Sequence, residues 1–341
     1  TDVGGSTAIN GGSIKTSGVA GMVFGDAVSL GANTTLIATD GAISFDSTLD
    51  GTSAGSETLA LTAGSGDITF SAAVGTTRLG AVTLNQANNV TISNTFSAAS
   101  LNQASGTAGT GIFTLDGDLD TDAGAITISS ATVDLNANLS TTAGYDTANS
   151  IDNGLVTINA GSGGLTLDGG NITTTAATAG TQSGAIDINS DGNVALVGNL
   201  LTTGSAGATG GAVTIDTTAA ATLSLSDITS SGGDATATDA DGGAAGSITL
   251  TTAGTITLDN STITAAGGLG TGTGTQGAGA EIRFSNAVAL TTADATVSTG
   301  ATTGDISFDS TITGAQDLTL TAGTGTLTLT GDVDVTSVEA S

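Results

Sequence analysis

The chain has 341 residues, among them 54 Gly but no Pro, Cys, His or Trp, and only 2% of it is aromatic. Its formal charge is −28, from 31 acidic residues against Lys15, Arg78 and Arg283, so its surface repels nucleic-acid phosphates and anionic lipid heads and attracts cations. The missing cysteines exclude a disulfide scaffold and thiolate metal sites, and a hydrophobic content of 38% excludes a disordered acidic chain.

The sequence opens at Thr1 without the charged, apolar and small-residue segments of a signal peptide. The most apolar early stretch, "GVAGMVFGDAVSLGA", is broken by Asp26 and its glycines, well short of a membrane-spanning run. Helical spacing is almost absent. Strict alternation recurs instead, in apolar i, i+2 pairs: Ile43/Phe45, Leu59/Leu61, Ile68/Phe70, Val82/Leu84 and Val90/Ile92. Further along come Ile126/Ile128, Val133/Leu135, Val156/Ile158, Leu165/Leu167, Ile186/Ile188 and Val213/Ile215. The series continues through Leu223/Leu225, Ile248/Leu250, Ile256/Leu258, Ile282/Phe284 and Ile306/Phe308. Alternate side chains of a strand point to opposite faces, so each pair predicts a short strand with one buried face and an outward Thr, Ser, Asp or Ala between.

These strands repeat as a set. "AISFDSTLDGTSAGSETLALTAGSGDITF" (42–70) returns as "DISFDSTITGAQDLTLTAGTGTLTL" (305–329), with Ile43 and Ile306 lying 263 residues apart. In the middle of the chain Val156, Ile186, Val213, Ile248, Ile282 and Ile306 stand as equivalents, spaced by 30, 27, 35, 34 and 24 residues. Periods of this length mark stacked units that cannot bury an apolar face alone. Three strands and one variable Gly-rich loop per unit predict an all-β, right-handed, three-sided parallel β-solenoid. About eleven to thirteen coils at ~4.8 Å give a rod of roughly 55 Å or a little more. Residues 1–341 are expected to form one continuous solenoid domain, less regular over 71–125. Because "GDVDVTSVEAS" (331–341) restarts a coil, the chain is expected to be an internal fragment of a longer protein.

The stretches "ISFDST", "LTLTAGTG" and "LGAVTLNQANNVTIS" resemble the degenerate repeats of filamentous-haemagglutinin-like exoproteins and other giant β-strand-repeat surface proteins of bacteria. The resemblance spans nearly the whole chain and implies a secreted, surface-associated adhesin or fibre built on a β-solenoid.

Few residues offer chemistry. With no His and three scattered basic residues, a lyase site is hard to assemble, although paired carboxylates could serve a glycoside hydrolase. The candidate cation ligands, for weak calcium binding, are Asp116, Asp118, Asp120 and Asp122 in "LDGDLDTDAG", and Asp234, Asp239 and Asp241 in "GGDATATDADGGAAG". The first stretch misses the EF-hand pattern, with Thr121 and Thr127 where Gly and Glu belong. The second misses the glycine-rich nonapeptide signature. Alternation turns these carboxylates outward, where they also oppose aggregation. Repeated Thr-x-Thr suits an exposed strand face and raises ice binding as a minor alternative. Phe45, Phe70, Phe284 and Phe308 are expected in the core at equivalent corners, and Tyr145 is the expected exposed aromatic contact.

The sequence therefore predicts a structural rod with no catalytic site and no required cofactor, extracellular or on a bacterial cell surface. Its expected partners are neighbouring repeats, its own copies or surface glycans, with no nucleic acid and no membrane insertion. A polysaccharide-active β-helix enzyme, or an ice- or calcium-binding solenoid, is the alternative.

Overall fold

The computed structural model describes residues 4–103, 111–142, 154–218 and 221–341. No helix occurs among them. Every strand pairing is parallel, and strands pair across one turn of chain rather than with their sequence neighbours. Ser6–Ile9, Gly12–Thr16 and Met22–Phe24 each begin a stack, here I, II and III; the next turn lays Ala27–Leu30, Thr34–Ala38 and Ile43–Phe45 over them in that order. Repetition of this cycle builds a three-sided parallel solenoid. Among the described residues stack I has fourteen rungs and stacks II and III have thirteen each.

The alternation read from the sequence is the cause. In Ile186–Ser190 and Val213–Thr217, residues 1, 3 and 5 are buried and residues 2 and 4 half-buried, and the same pattern recurs along all three stacks. The inward side chains form one continuous apolar cluster from Ile9 to Ala322. Each fully buried Leu, Ile or Val in it stabilises the fold by about 1.5–3 kcal/mol relative to exposure. The predicted equivalents pair in register along stack II, Val156 with Ile186, then Val213, Ile248, Ile282 and Ile306.

The two copies of the long repeat, however, occupy different faces. Ile43–Phe45 lies in stack III and Ile306–Phe308 in stack II. Every later strand keeps that displacement: Leu49 is in stack I but Ile312 in stack III, and Leu59 is in stack II but Leu318 in stack I. The three faces demand the same alternation, so a strand-and-turn pattern fits any of them. The four-residue difference falls between strands, where residues 52–58 form a loop at the corner from stack I to stack II.

The phenylalanines follow the same displacement and so form two separate piles, not one set of equivalent corners. Phe24, Phe45 and Phe70 stack in III with centroids 4.9 and 5.4 Å apart, and Phe96 meets Phe70 edge-on at 5.3 Å. Phe284 and Phe308 stack in II at 4.4 Å. Such pairs add about 0.5–1.5 kcal/mol each beyond area burial.

The irregular region has a specific origin. Val74–Gln86 runs from stack I into stack II without a break, and its register slips between Val74 and Leu79 where the partners are Phe96 and Ala98. The surplus residues bulge outward. Gly75 lies there at φ +75, and a Cβ on it would sit 2.0 Å from the Ser97 carbonyl oxygen, so this position takes no side chain.

Candidate functional site

Three features stand out from the regular faces: the carboxylates, the loops at the corner from stack I to stack II, and a recess beside the bulge.

The carboxylates hold the next turn. Side-chain oxygens of Asp50, Asp67, Asp118, Asp227, Asp294 and Asp305 accept the backbone N–H of Thr77, Asn89, Asn138, Thr262, Asp317 and Thr326, each one coil further on, at 2.7–3.0 Å. Asn continues the device from Asp118. Asn138 Oδ1 accepts Asn171 N–H at 3.0 Å, and Asn171 Oδ1 accepts Asn199 N–H at 2.9 Å. Strands are tied along their length by the ladder, and these bonds tie the corners and, from Asp50 to Thr77, a place within the strands themselves.

The predicted cation ligands divide accordingly. Asp116 accepts from Asn136 Nδ2 at 2.9 Å, and Asp118 from both nitrogens of Asn138 at 3.0 Å, at the corner from stack III to stack I. Asp120 lies on the outer side of stack I and pairs with Arg78 at 2.7 Å. Asp122 lies past the end of that strand, on the recess. A turn of chain thus spreads four closely spaced carboxylates over two corners and a face. Asp234 accepts Leu269 N–H at 2.7 Å, Asp239 accepts Thr273 N–H at 2.8 Å, and Asp241 accepts both the N–H and hydroxyl of Thr275 at 2.7 and 2.8 Å. The Thr275 amide, then its hydroxyl, holds the Asp241 carboxyl below the usual carboxylate range. Among the described residues no three potential ligands gather around one point.

The loops from stack I to stack II share a closure that the sequence reading missed. A hydroxyl at the end of the stack I strand donates inward to a glycine carbonyl just before the stack II strand. The pairs are Thr121 with Gly124, Thr141 with Gly154, Thr174 with Gly184, Thr202 with Gly211, Ser230 with Gly246 and Thr299 with Gly304, at 2.6–2.8 Å, and the Ser230 hydroxyl is shared with the Gly211 carbonyl of the preceding turn at 2.6 Å. All six hydroxyl residues are fully buried. In the rung where Ala265 replaces the hydroxyl residue, Ala280 replaces the glycine and its N–H bonds to the Ala265 carbonyl at 3.0 Å. The signal was present as apolar-x-Thr/Ser followed, at any distance, by Gly-x-apolar.

Beyond these necks, residues 202–212, 230–247 and 265–281 stack as a glycine-rich fin. Its backbone bonds run in several directions. Gly232 N–H reaches forward to Ala266, Gly233 N–H back to Ala208, and Gly243 N–H across its own loop to Gly233, at 2.9–3.0 Å. So close a lateral fit requires glycine: a Cβ on Gly243 would meet the Ala208 carbonyl oxygen at 1.8 Å.

The recess, about 640 Å³, is lined by Gly55, Gly75, Thr76, Thr77, Arg78 and Asp122 among others. Arg78 donates to the carbonyls of Ala98 and Asp120 at 3.1 and 3.2 Å as well as to the Asp120 carboxylate, so one guanidinium clamps three successive turns. Nearby, buried Glu57 accepts Ser53 N–H at 3.1 Å and the Thr52 hydroxyl at 2.8 Å; the Ser53 amide is the larger of the influences that hold its carboxyl below the usual range. Arg283 pairs with Asp309 at 2.6 Å, which raises its guanidinium further.

Outward threonines align only in short runs. On stack III, Thr69, Thr91 and Thr114 are in register, and the run then meets Asp134. Tyr145 lies outside the described residues.

Compared with known proteins, the chain matches no family model, no curated protein and no solved structure.

Proposed function

We propose that the chain is the structural rod of a secreted or cell-surface bacterial protein, serving as an adhesin stalk, a fibre or an extracellular matrix scaffold. The observation that carries this reading is the use made of the acidic residues. Aspartate after aspartate accepts a backbone N–H of the following turn instead of converging on a reaction centre. A parallel ladder that runs through the described rungs around one continuous core supports stiffness, and the outward Asp, Asn, Ser and Thr side chains support life in water. Neighbouring repeats, other copies or surface glycans are its partners under this reading.

Immunogold labelling of the producing cells with antibody to this chain tests it. Gold along fibres or an outer coat is the expected result; gold confined to the cell interior would overturn it. The recess around Arg78 and Asp122 favours one second reading, a polysaccharide-active enzyme. Release of reducing or unsaturated sugar ends from acidic and neutral polysaccharides, abolished by Asp122→Asn, would establish that reading instead.

A further inference from the structure

The tripeptide Asn-x-Ser/Thr occurs five times, at Asn33, Asn89, Asn138, Asn171 and Asn260. It is the acceptor pattern for an N-linked sugar, and the fold separates the five sharply. Four are committed to the corner bonding. Asn33 Oδ1 accepts Thr58 N–H at 3.0 Å, and Asn171 Oδ1 accepts Asn199 N–H at 2.9 Å. Asn89 and Asn138 are held at both ends of the carboxamide. Asn89 donates to Asp67 at 3.0 Å and accepts from Ile112 at 2.9 Å, while Asn138 donates to Asp118 and accepts from Asn171, both at 3.0 Å.

Asn260 is different. It is exposed, it stands at φ +55 on the corner from stack III to stack I, and its carboxamide bonds to no other described group. The backbone around it is nonetheless fixed. The Ser261 hydroxyl is buried, donates to the Leu225 carbonyl at 2.7 Å and accepts Asp259 N–H at 3.0 Å. Thr262, the hydroxyl residue of the pattern, is exposed, with its N–H on Asp227 at 2.7 Å. Both side chains of the acceptor pattern therefore project from an anchored turn, and substituting the free amide breaks no bond of the fold.

We propose that Asn260 is the glycan attachment site of the folded rod. In the reaction Nδ2 bonds to C1 of a diphosphate-linked sugar. The C1–O bond breaks with its electron pair leaving on the diphosphate, and one Nδ2 proton passes to a base of the transferase. The sugar then stands on a corner, clear of the strand faces.

Peptide mapping by mass spectrometry of the protein isolated from its producing cells tests the assignment. The expected result is a sugar-sized mass increment on the peptide carrying Asn260 and none on those carrying Asn138 or Asn171. An unmodified Asn260 would overturn it, as would equal occupancy at Asn138. A second measurement isolates the geometry: the purified folded chain and five synthetic peptides are treated with a transferase specific for this tripeptide and a nucleotide-diphosphate hexose. Relative to its peptide, Asn260 in the folded chain should react at least tenfold faster than Asn138 and Asn171, and Asn260→Gln should remove the product. Equal ratios would contradict the proposal.

Discussion

The Thr202 hydroxyl donates to the Gly211 carbonyl at 2.6 Å across the neck of a loop, and Thr174 with Gly184 repeats the relation one turn earlier. The loop outside the neck varies in length while the neck does not, which is how coils 24 to 35 residues apart keep one register. Thr202→Val keeps the shape and removes one of the two hydroxyls, those of Thr202 and Ser230, directed at the buried Gly211 carbonyl, at a cost of about 0.5–1.5 kcal/mol. Hydrogen exchange by mass spectrometry should show faster exchange over 200–213 with little change in distant coils, and Thr202→Ser should behave as the parent.

The fin depends on the absence of side chains. Gly243→Ala drives a Cβ into the Ala208 carbonyl, so the loops must separate, at about 1–3 kcal/mol. Exchange should quicken across 204–210, 231–245 and 266–278 together, while strands such as Val213–Thr217 and Ile248–Thr252 stay protected.

Arg78 replaces missing regularity by a clamp. Where the strand bulges after Val74, its guanidinium binds the next two turns. Arg78→Met should destabilise the segment by about 1–2 kcal/mol, the partly exposed ion pair contributing less than the two carbonyl bonds. Arg78→Lys keeps the charge but loses the fork and should fall between. Limited proteolysis within 74–80 and 96–103 ranks the three proteins.

Acid should loosen specific loops. Asp241 and Glu57 both titrate below their ordinary values in the folded chain, so their contribution is complete above the unfolded-state values and is lost as pH falls through the folded ones. The window lies below about pH 4. The NMR shift of the Thr275 amide should titrate there in the parent and stay flat in Asp241→Asn, whose Oδ1 still accepts the same N–H.

Much of the fold was legible because one rule, inward at every second residue, operates on all three faces. Ile186/Ile188 and Val213/Ile215 could be placed in register from spacing alone. The same uniformity hid which face a strand occupies, so Ile43 and Ile306 read as equivalents although they lie in stacks III and II. The corner bonding was hidden for another reason. Asp118 and Asn138 are 20 residues apart, and nothing local marks a carboxylate as the acceptor for the next turn. Thr202 looked like its outward neighbours because Thr serves both a solvated face and a buried neck. Arg78 stood out only as one of three basic residues; its partner Asp120 is 42 residues away.

Segments far apart in the chain stack as successive rungs of one solenoid. The chain contains no cysteine, so a pair introduced at Thr157 and Ser307 can be spin-labelled cleanly. Both positions are outward on stack II, linked by the register Thr157, Asp187, Thr214, Thr249, Arg283, Ser307. Five rung steps at ~4.8 Å predict a single narrow distance near 24 Å by double electron–electron resonance, broadened only by the label arms. A distribution centred far beyond that, or one as broad as an unfolded segment between the labels would give, would contradict this stacking.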